Sequence, residues 1–261
     1  IAWAISSSPP TSSPAKRPLP SSFGGWVRRH PKKLLALLAL LAVPLAFHSY
    51  VLLRSRMRPP QVELQLLPLG ESAGIRYASW GERATLDGSS DYARHVGKLE
   101  EVRLVGTGSQ IGQAHATLLK AEMDRTEEVV WGLFRQHVSS RLARALLLDM
   151  ARLRYADLDS ELGSDRRQEI AAQAAAYQPD PFDSELPTYQ RFVFLNALYD
   201  ISLSFEQSPL IGCTTFTGKT ASGAGMLARA FDFEVHPIFD KEKIVFLVRE
   251  DGKLPFASVA W

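Results

Sequence analysis

From Leu34 to Leu53 the chain runs for twenty residues without a charged side chain (LLALLALLAVPLAFHSYVLL). As a helix that length reaches about 30 Å, enough to cross the hydrocarbon of a bilayer. Such a stretch has to leave water, and its flanks say where it goes. Six basic residues precede it (Lys16, Arg17, Arg28, Arg29, Lys32, Lys33) and three follow (Arg54, Arg56, Arg58). The excess on the N-terminal side predicts a cytoplasmic N-terminus and an extracytoplasmic remainder, periplasmic or extracellular. Leu34 to Phe47 would also serve as the apolar part of a cleaved signal peptide, but no good Ala-x-Ala site is visible and the basic lead is long. An uncleaved signal anchor over 34–53 is therefore expected. Pro44 and His48 weaken the span without vetoing it.

Residues 1–25 are rich in Ser, Pro and Gly and are expected to be disordered, so that 1–33 forms a basic cytoplasmic tail. Residues 1–60 carry nine Lys or Arg and no acid, which leaves 21 basic against 28 acidic residues beyond them. The folded part is thus mildly acidic, with no basic stripe, and a nucleic-acid partner is not expected. An apolar fraction of 46% suits a packed core. The chain opens on Ile1 and closes on a strand-like Leu254 to Trp261, and we expect it to be a fragment of a longer protein.

Residues 54–98 read as a linker with short strands at Val62 to Leu67 and Ile75 to Trp80. A mostly helical region, 99–212, follows. A strand at Glu100 to Val105 leads through Gly106-Thr107-Gly108 into a helix with Ile111, Ala114, Leu118 and Leu119 at helical spacing. The glycine turn could hold an anion on free amides, but capping the helix is the commoner use. His115 stands without a second ligand at metal spacing, so no metal is expected there. A long helix is predicted over Thr126 to Leu158, capped by Thr126-Glu127-Glu128, with Val130, Leu133, Phe134, Val138, Leu142, Leu146 and Leu147 as its core side. Further helices are predicted over Asp165 to Tyr177 and Thr188 to Phe205. Asp180, Asp183 and Glu185 between them read as solvated loop charge.

At residue 213 the pattern changes to β. Strands are predicted at Cys213 to Thr217 and Met226 to Glu234 around a small-residue turn, then at Ile244 to Arg249 and Leu254 to Trp261 around Asp251-Gly252. Two successive antiparallel hairpins result. Cys213 is the only cysteine, so it closes no internal disulfide; it is either an apolar filler or a thiol kept for its reactivity. Gly212 to Thr220 (GCTTFTGKT) imitates a phosphate loop, but five residues rather than four separate its first Gly from Gly-Lys-Thr, and poor helix formers follow.

Gly212-Cys213-Thr214-Thr215-Phe216, with Arg229 and Asp232 sixteen and nineteen residues after the cysteine, resembles the penicillin acyltransferase-like cysteine branch of the N-terminal nucleophile hydrolases. The preceding Asn196-Ala197-Leu198-Tyr199-Asp200 and the segment Gly106 to Leu119 are similar to that family too, so the likeness covers roughly residues 100–261. Phe231 stands where the family often has Asn, which leaves substrate contacts there open. The resemblance implies an α+β chain: a membrane helix, then a helical pro-segment leading into antiparallel strands of an αββα sandwich, whose C-terminal part lies outside this sequence.

It implies further that Cys213 attacks the Gly212 carbonyl, that cleavage between Gly212 and Cys213 makes Cys213 the new N-terminus, and that 99–212 and 213–261 stay associated as α and β chains. Arg229 would favour the thiolate and Asp232 would orient the α-amine. The family's oxyanion asparagine lies downstream of Trp261, so the fragment is expected to be inactive alone. The reaction is cleavage of a linear non-peptide amide of a small-molecule donor, or acyl transfer from it, without cofactor or metal. Two other classes compete: a membrane-anchored helical binding or scaffold module, and, more distantly, a nucleotide-binding protein using Gly212 to Thr220.

Overall fold

The computed structural model describes residues 30–65, 67, 69–78, 91–198, 201, 211–233 and 236–260; for Leu41, 211–214 and 229–233 it describes the backbone only. The tail expected to be disordered, 1–25, lies outside the described residues. The chain divides into two compact units, Ile1–Tyr50 and Val51–Trp261. It is a mixed α/β fold.

The uncharged stretch forms a single helix of 24 residues, α1 (Pro31–Arg54), with Pro44 inside it. Among the described residues it is the one helix long and apolar enough to cross a membrane. Leu35, Leu40, Val43 and Leu45 are largely exposed along it.

The second unit is built on a six-stranded sheet: β1 (Leu69–Ser72), β2 (Ile75–Ala78), β3 (Asp91–Val96), β4 (Leu99–Gly106), β7 (Ile244–Glu250) and β8 (Phe256–Ala260), in that spatial order. All neighbours are antiparallel except β4 and β7, which run parallel with Glu100 opposite Ile244 and Gly106 opposite Glu250. A parallel pair needs a crossover, and here it contains helices and a separate ribbon. Val102 and Leu104 of β4 and Ile244, Phe246 and Val248 of β7 alternate into one core with Ile111, Ala114, Leu118 and Leu119. Those last four lie on α2 (Gly108–His137), at the spacing read from the sequence.

α2 starts at the Gly106-Thr107-Gly108 turn, where a helix was expected, and does not stop before the second start predicted at Thr126. Thr107 accepts a hydrogen bond from the Gln110 amide while the Gln110 side chain accepts from the Thr107 amide, a reciprocal capping box. The helix then runs through Thr126, which is no N-cap. The polar stretch Lys120 to Arg125 stays helical, tied by Lys120 to Asp124 four residues on (2.7 Å), and only Leu119 departs from helical angles. The predicted single helix over 126–158 is interrupted at residues 138–140. Ser140 caps α3 (Arg141–Arg154) by accepting from the Ala143 amide.

α4 (Ser164–Ala176) matches its expected range closely, and α5 (Thr188–Asn196) begins where expected. The end predicted for that last helix falls partly outside the described residues. α2 and α4 cross at glycines: a Cβ on Gly108 would stand 3.0 Å from the Asp165 carbonyl oxygen, and one on Gly112 would overlap that of Glu169. Ala116, Ile170, Ala171, Ala174, Tyr177, Phe192 and Val193 fill the core on this side. Helix α2 is thus packed on the sheet along one face and on helices along another.

Three expectations fail in this unit. The strand over Val62 to Leu67 is absent among its described residues: the Gln65 amide and carbonyl bond to the Gln113 side chain instead of a ladder. The core side assigned to Leu142, Leu146 and Leu147 is exposed at 66, 44 and 44%. Asp180 is not a solvated loop charge, because Arg191 holds it in the interior through contacts of 2.9 and 2.8 Å. Strands β1 and β3 and the short helix α6 (Ile238–Lys241) were not anticipated.

Candidate functional site

The two strands carrying the candidate nucleophile form a ribbon of their own, β5 (Ile211–Lys219) with β6 (Gly225–Phe233). Thr, Phe and Ile in alternation favour extended chain, and a tight loop reverses it. The Thr220 amide donates to the Ala224 carbonyl (2.8 Å), the Gly223 amide donates to the Thr220 carbonyl (2.9 Å), and Gly223 has φ +82°, an angle glycine adopts at little cost. Gly212 to Lys219 is therefore strand followed by a turn. A phosphate loop needs a helix N-terminus at that point, and none follows Thr220.

Pairing is one-to-one along the ribbon from Ile211↔Phe233 to Lys219↔Gly225. Cys213 lies opposite Phe231, Gly212 opposite Asp232, and Thr215 opposite Arg229. A shared side for Arg229 and Asp232 requires a bulge or an early strand end, since they are three residues apart; β6 has neither, so they occupy alternating positions. Arg229 is in the same alternating set as Cys213, diagonally across the ladder at a Cα separation of about 7–8 Å typical of such pairs. Asp232 is in the other set, across from the residue that precedes the cysteine. The ribbon thus brings the Gly212–Cys213 peptide, Arg229 and Asp232 to one end of a hairpin. At the other end Phe216, Met226 and Leu227 are exposed at 58, 42 and 70%.

The turn at Gly106 turns out to be a cap. Gly106 has φ +120°, and the Thr107 and Gln110 amides are taken by the capping box. A cavity of about 240 Å³ beside it is lined by Gln61, Glu63, Gln65, Ser109 and Gln113 among others, with no cation in its wall to favour an anion. His115 is half-buried with its ring 5.2 Å from that of Phe246. Burial, helped by the nearby Arg166 charge, holds its pKa down at about 4, so the ring is neutral at pH 7. Among the described residues no group of three or more His, Cys, Asp or Glu is placed to hold a metal.

Sequence reasoning missed the main polar cluster of the helical side. Arg191 on α5 is 2% exposed; its Nε lies 2.6 Å from Glu127 of α2, its Nη2 bonds Asp180, and its Nη1 donates to the Leu186 carbonyl (2.9 Å). Phe192, Phe182 and Tyr177 surround the guanidinium at 5.3 to 6.0 Å. Burial pushes the Glu127 carboxyl above its usual range, although Arg191 and the Trp131 indole pull it back. Tyr177 is raised by burial and by its hydroxyl bond to Asp124. A lone charge in an otherwise uncharged, aromatic-rich helix, YQRFVF, is the signal that could have exposed the cluster.

This cluster fixes α5, and the Arg166 guanidinium donates to Asn196 at its C-terminal end. The chain from there leads to Gly212. Comparison with known protein families, with characterised proteins and with solved structures finds no match.

Proposed function

We propose that the chain is the precursor of a membrane-anchored cysteine N-terminal nucleophile hydrolase or acyltransferase that matures by cutting itself between Gly212 and Cys213. The observation that carries this reading is the ribbon register. The nitrogen between Gly212 and Cys213 becomes the catalytic α-amine, and Asp232 is paired with Gly212 across the ladder. The αββα sandwich, the extracytoplasmic location and the substrate class belong to the same proposal, whose structural basis is a mixed α/β fold with, among the described residues, one membrane-length helix.

The chemistry follows from the residue types. In maturation the Cys213 sulfur attacks the Gly212 carbonyl carbon; the S–C bond forms, the C–N bond breaks, and the departing nitrogen takes the thiol proton. Water then hydrolyses the thioester, leaving a Gly212 carboxylate and a free Cys213 thiol and amine. Glycine on the acyl side presents no side chain to the attacking sulfur.

In turnover the α-amine, with an ordinary pKa of about 8, accepts the thiol proton as sulfur attacks the substrate amide. The amine leaving group departs with that proton. Water or an acceptor amine resolves the acyl-thioester. Arg229, in the alternating set of Cys213, raises the thiolate fraction. Asp232 accepts a hydrogen bond from the α-amine and orients it.

Intact mass and N-terminal sequencing of the expressed protein test the proposal. The wild type is expected to yield a fragment beginning at Cys213, and Cys213→Ala a single uncut chain. An uncut wild type, or the same cut in Cys213→Ala, overturns it.

A further inference from the structure

Helix α3 is folded inside out. The residues it buries are a charged pair, Asp149 (2% exposed) and Arg152 (8%), 3.3 Å apart, with Arg152 also donating to the Glu185 carbonyl. The residues it turns outward are Leu142 (66%), Leu146 (44%), Leu147 (44%) and Met150 (63%). Leu142, Leu146 and Met150 repeat at four-residue spacing and make one stripe along the helix. In water this arrangement costs free energy at every leucine, and the same helix rotated about its axis would avoid that cost. The stripe therefore implies a surrounding medium other than water.

The chain supplies that medium close by. The last turn of α1 is built into the folded unit: Val51 is fully buried, the Ser55 carbonyl accepts from the Gln190 side chain (2.9 Å), and Arg54 pairs with Asp157 (3.3 Å). Asp157 comes three residues after the end of α3. A helix of 14 residues is about 21 Å long, so the whole of α3 lies within some 30 Å of the point where the expected span ends.

Charge completes the match. On α3 Arg141 and Arg154 are exposed and Arg144 is half-buried, while the single acid Asp149 is taken up by the buried Arg152; Arg54, Arg56 and Arg58 are exposed just after the span. An apolar stripe flanked by arginines is the composition of a helix that lies in the interface of an anionic bilayer.

We infer that α3 is a second membrane contact, an interfacial helix that seats Leu142, Leu146 and Met150 among the lipids of the bilayer that α1 crosses. The inference rests on the proposed membrane anchoring by α1. It predicts that the domain lies against the membrane surface rather than swinging on a tether, which would favour substrates that partition into lipid.

The test uses the full-length, uncut chain in the Cys213→Ala background, with one new cysteine carrying an environment-sensitive fluorophore. Position 146 reports on α3, position 40 on the span, and position 128, exposed on α2, on water. In vesicles of phosphatidylcholine and phosphatidylglycerol, headgroup-labelled quencher lipids should quench the probe at 146 at least about twofold more than the probe at 128. Leu142→Gln with Met150→Gln should abolish the difference.

If 40 is quenched while 146 behaves like 128, the anchor stands and the docking of α3 is wrong. A probe at 40 that lipids labelled along the acyl chain leave unquenched removes the anchor and the docking with it. Shielding at 146 that persists without lipid and rises with protein concentration assigns the stripe to a second copy of the chain and overturns the inference.

Discussion

Helices α2 and α3 follow each other with three residues between them, and they bury opposite kinds of side chain. α2 sends Ile111, Ala114, Leu118 and Leu119 into the sheet core and packs Ala116 against the helices, while its one buried acid, Glu127, meets a guanidinium. α3 buries an aspartate and an arginine and leaves Leu142, Leu146, Leu147 and Met150 outside. Both sequences have helical apolar spacing, so periodicity reports that a face exists and not what covers it. For α2 the covering is protein on two sides. For α3 it is not provided by the described residues, and the cost of the exposed stripe has to be met by another phase.

The contrast is broken most forcefully at Arg191. If the α2 side depends on paired buried charge as well as hydrocarbon, Arg191→Leu leaves Glu127 and Asp180 without their cation and should destabilise the fold by about 3–5 kcal/mol. Thermal unfolding of the full chain in a mild detergent measures this. A loss below about 1 kcal/mol would mean that the cluster is solvated and that the helical side is held by its apolar contacts alone.

Leu118→Ala comes next, a large-to-small change at a residue 1% exposed between α2 and the sheet. The expected loss is about 2–4 kcal/mol by the same melt.

The two faces of α2 should also differ in sign with pH. The His115 pKa is depressed from 6.5 to about 4 by burial and by Arg166, so it contributes stability that is complete above pH 6.5 and is lost as the pH falls towards 4. For a half-buried ring we expect about 2 kcal/mol over that window, removed in His115→Gln. The Glu127 pKa is raised, chiefly by burial. Its contribution is fullest below the ordinary value of 4.5 and fades as the pH rises through the raised one. Unfolding midpoints of His115→Gln and Glu127→Gln across pH 4 to 7, each subtracted from wild type, should therefore slope in opposite directions. Parallel slopes would show that one of the two groups is in contact with solvent.

What was legible in the sequence follows the range of the forces involved. The span, α4 and strands β5 to β8 were legible because uncharged length, a helix ended near Pro179, and alternation around glycine turns are local signals. The continuity of α2 was not, since Thr126-Glu127-Glu128 reads locally as a second cap, and only the helical run through Lys120 to Arg125 shows that it is none. Pairing of Asp180 with Arg191 joins a loop to a helix, and burial is what makes it matter. β1, fully exposed as Leu69-Gly70-Glu71-Ser72, carries no alternation to read. At the candidate site the spacing of Cys213, Arg229 and Asp232 was visible, whereas the register setting Asp232 against Gly212 depended on a loop whose ends only the backbone shows.

The smallest effect is the most discriminating for α3. Leu146→Ala removes the same atoms as Leu118→Ala, from a side chain 44% exposed on the outward stripe. In lipid-free detergent at concentrations where the chain is monomeric, the unfolding midpoint should move by no more than about 0.5 kcal/mol equivalent. A loss comparable with that at Leu118 would require protein packed over the stripe, for which truncation leaves a cavity. The two leucines then would not differ in kind, and α3 would be an ordinary core helix whose covering segment lies outside the described residues. If the loss is small in detergent but the variant detaches from anionic vesicles more readily than wild type, the leucines of α3 act on the membrane and those of α2 on the fold.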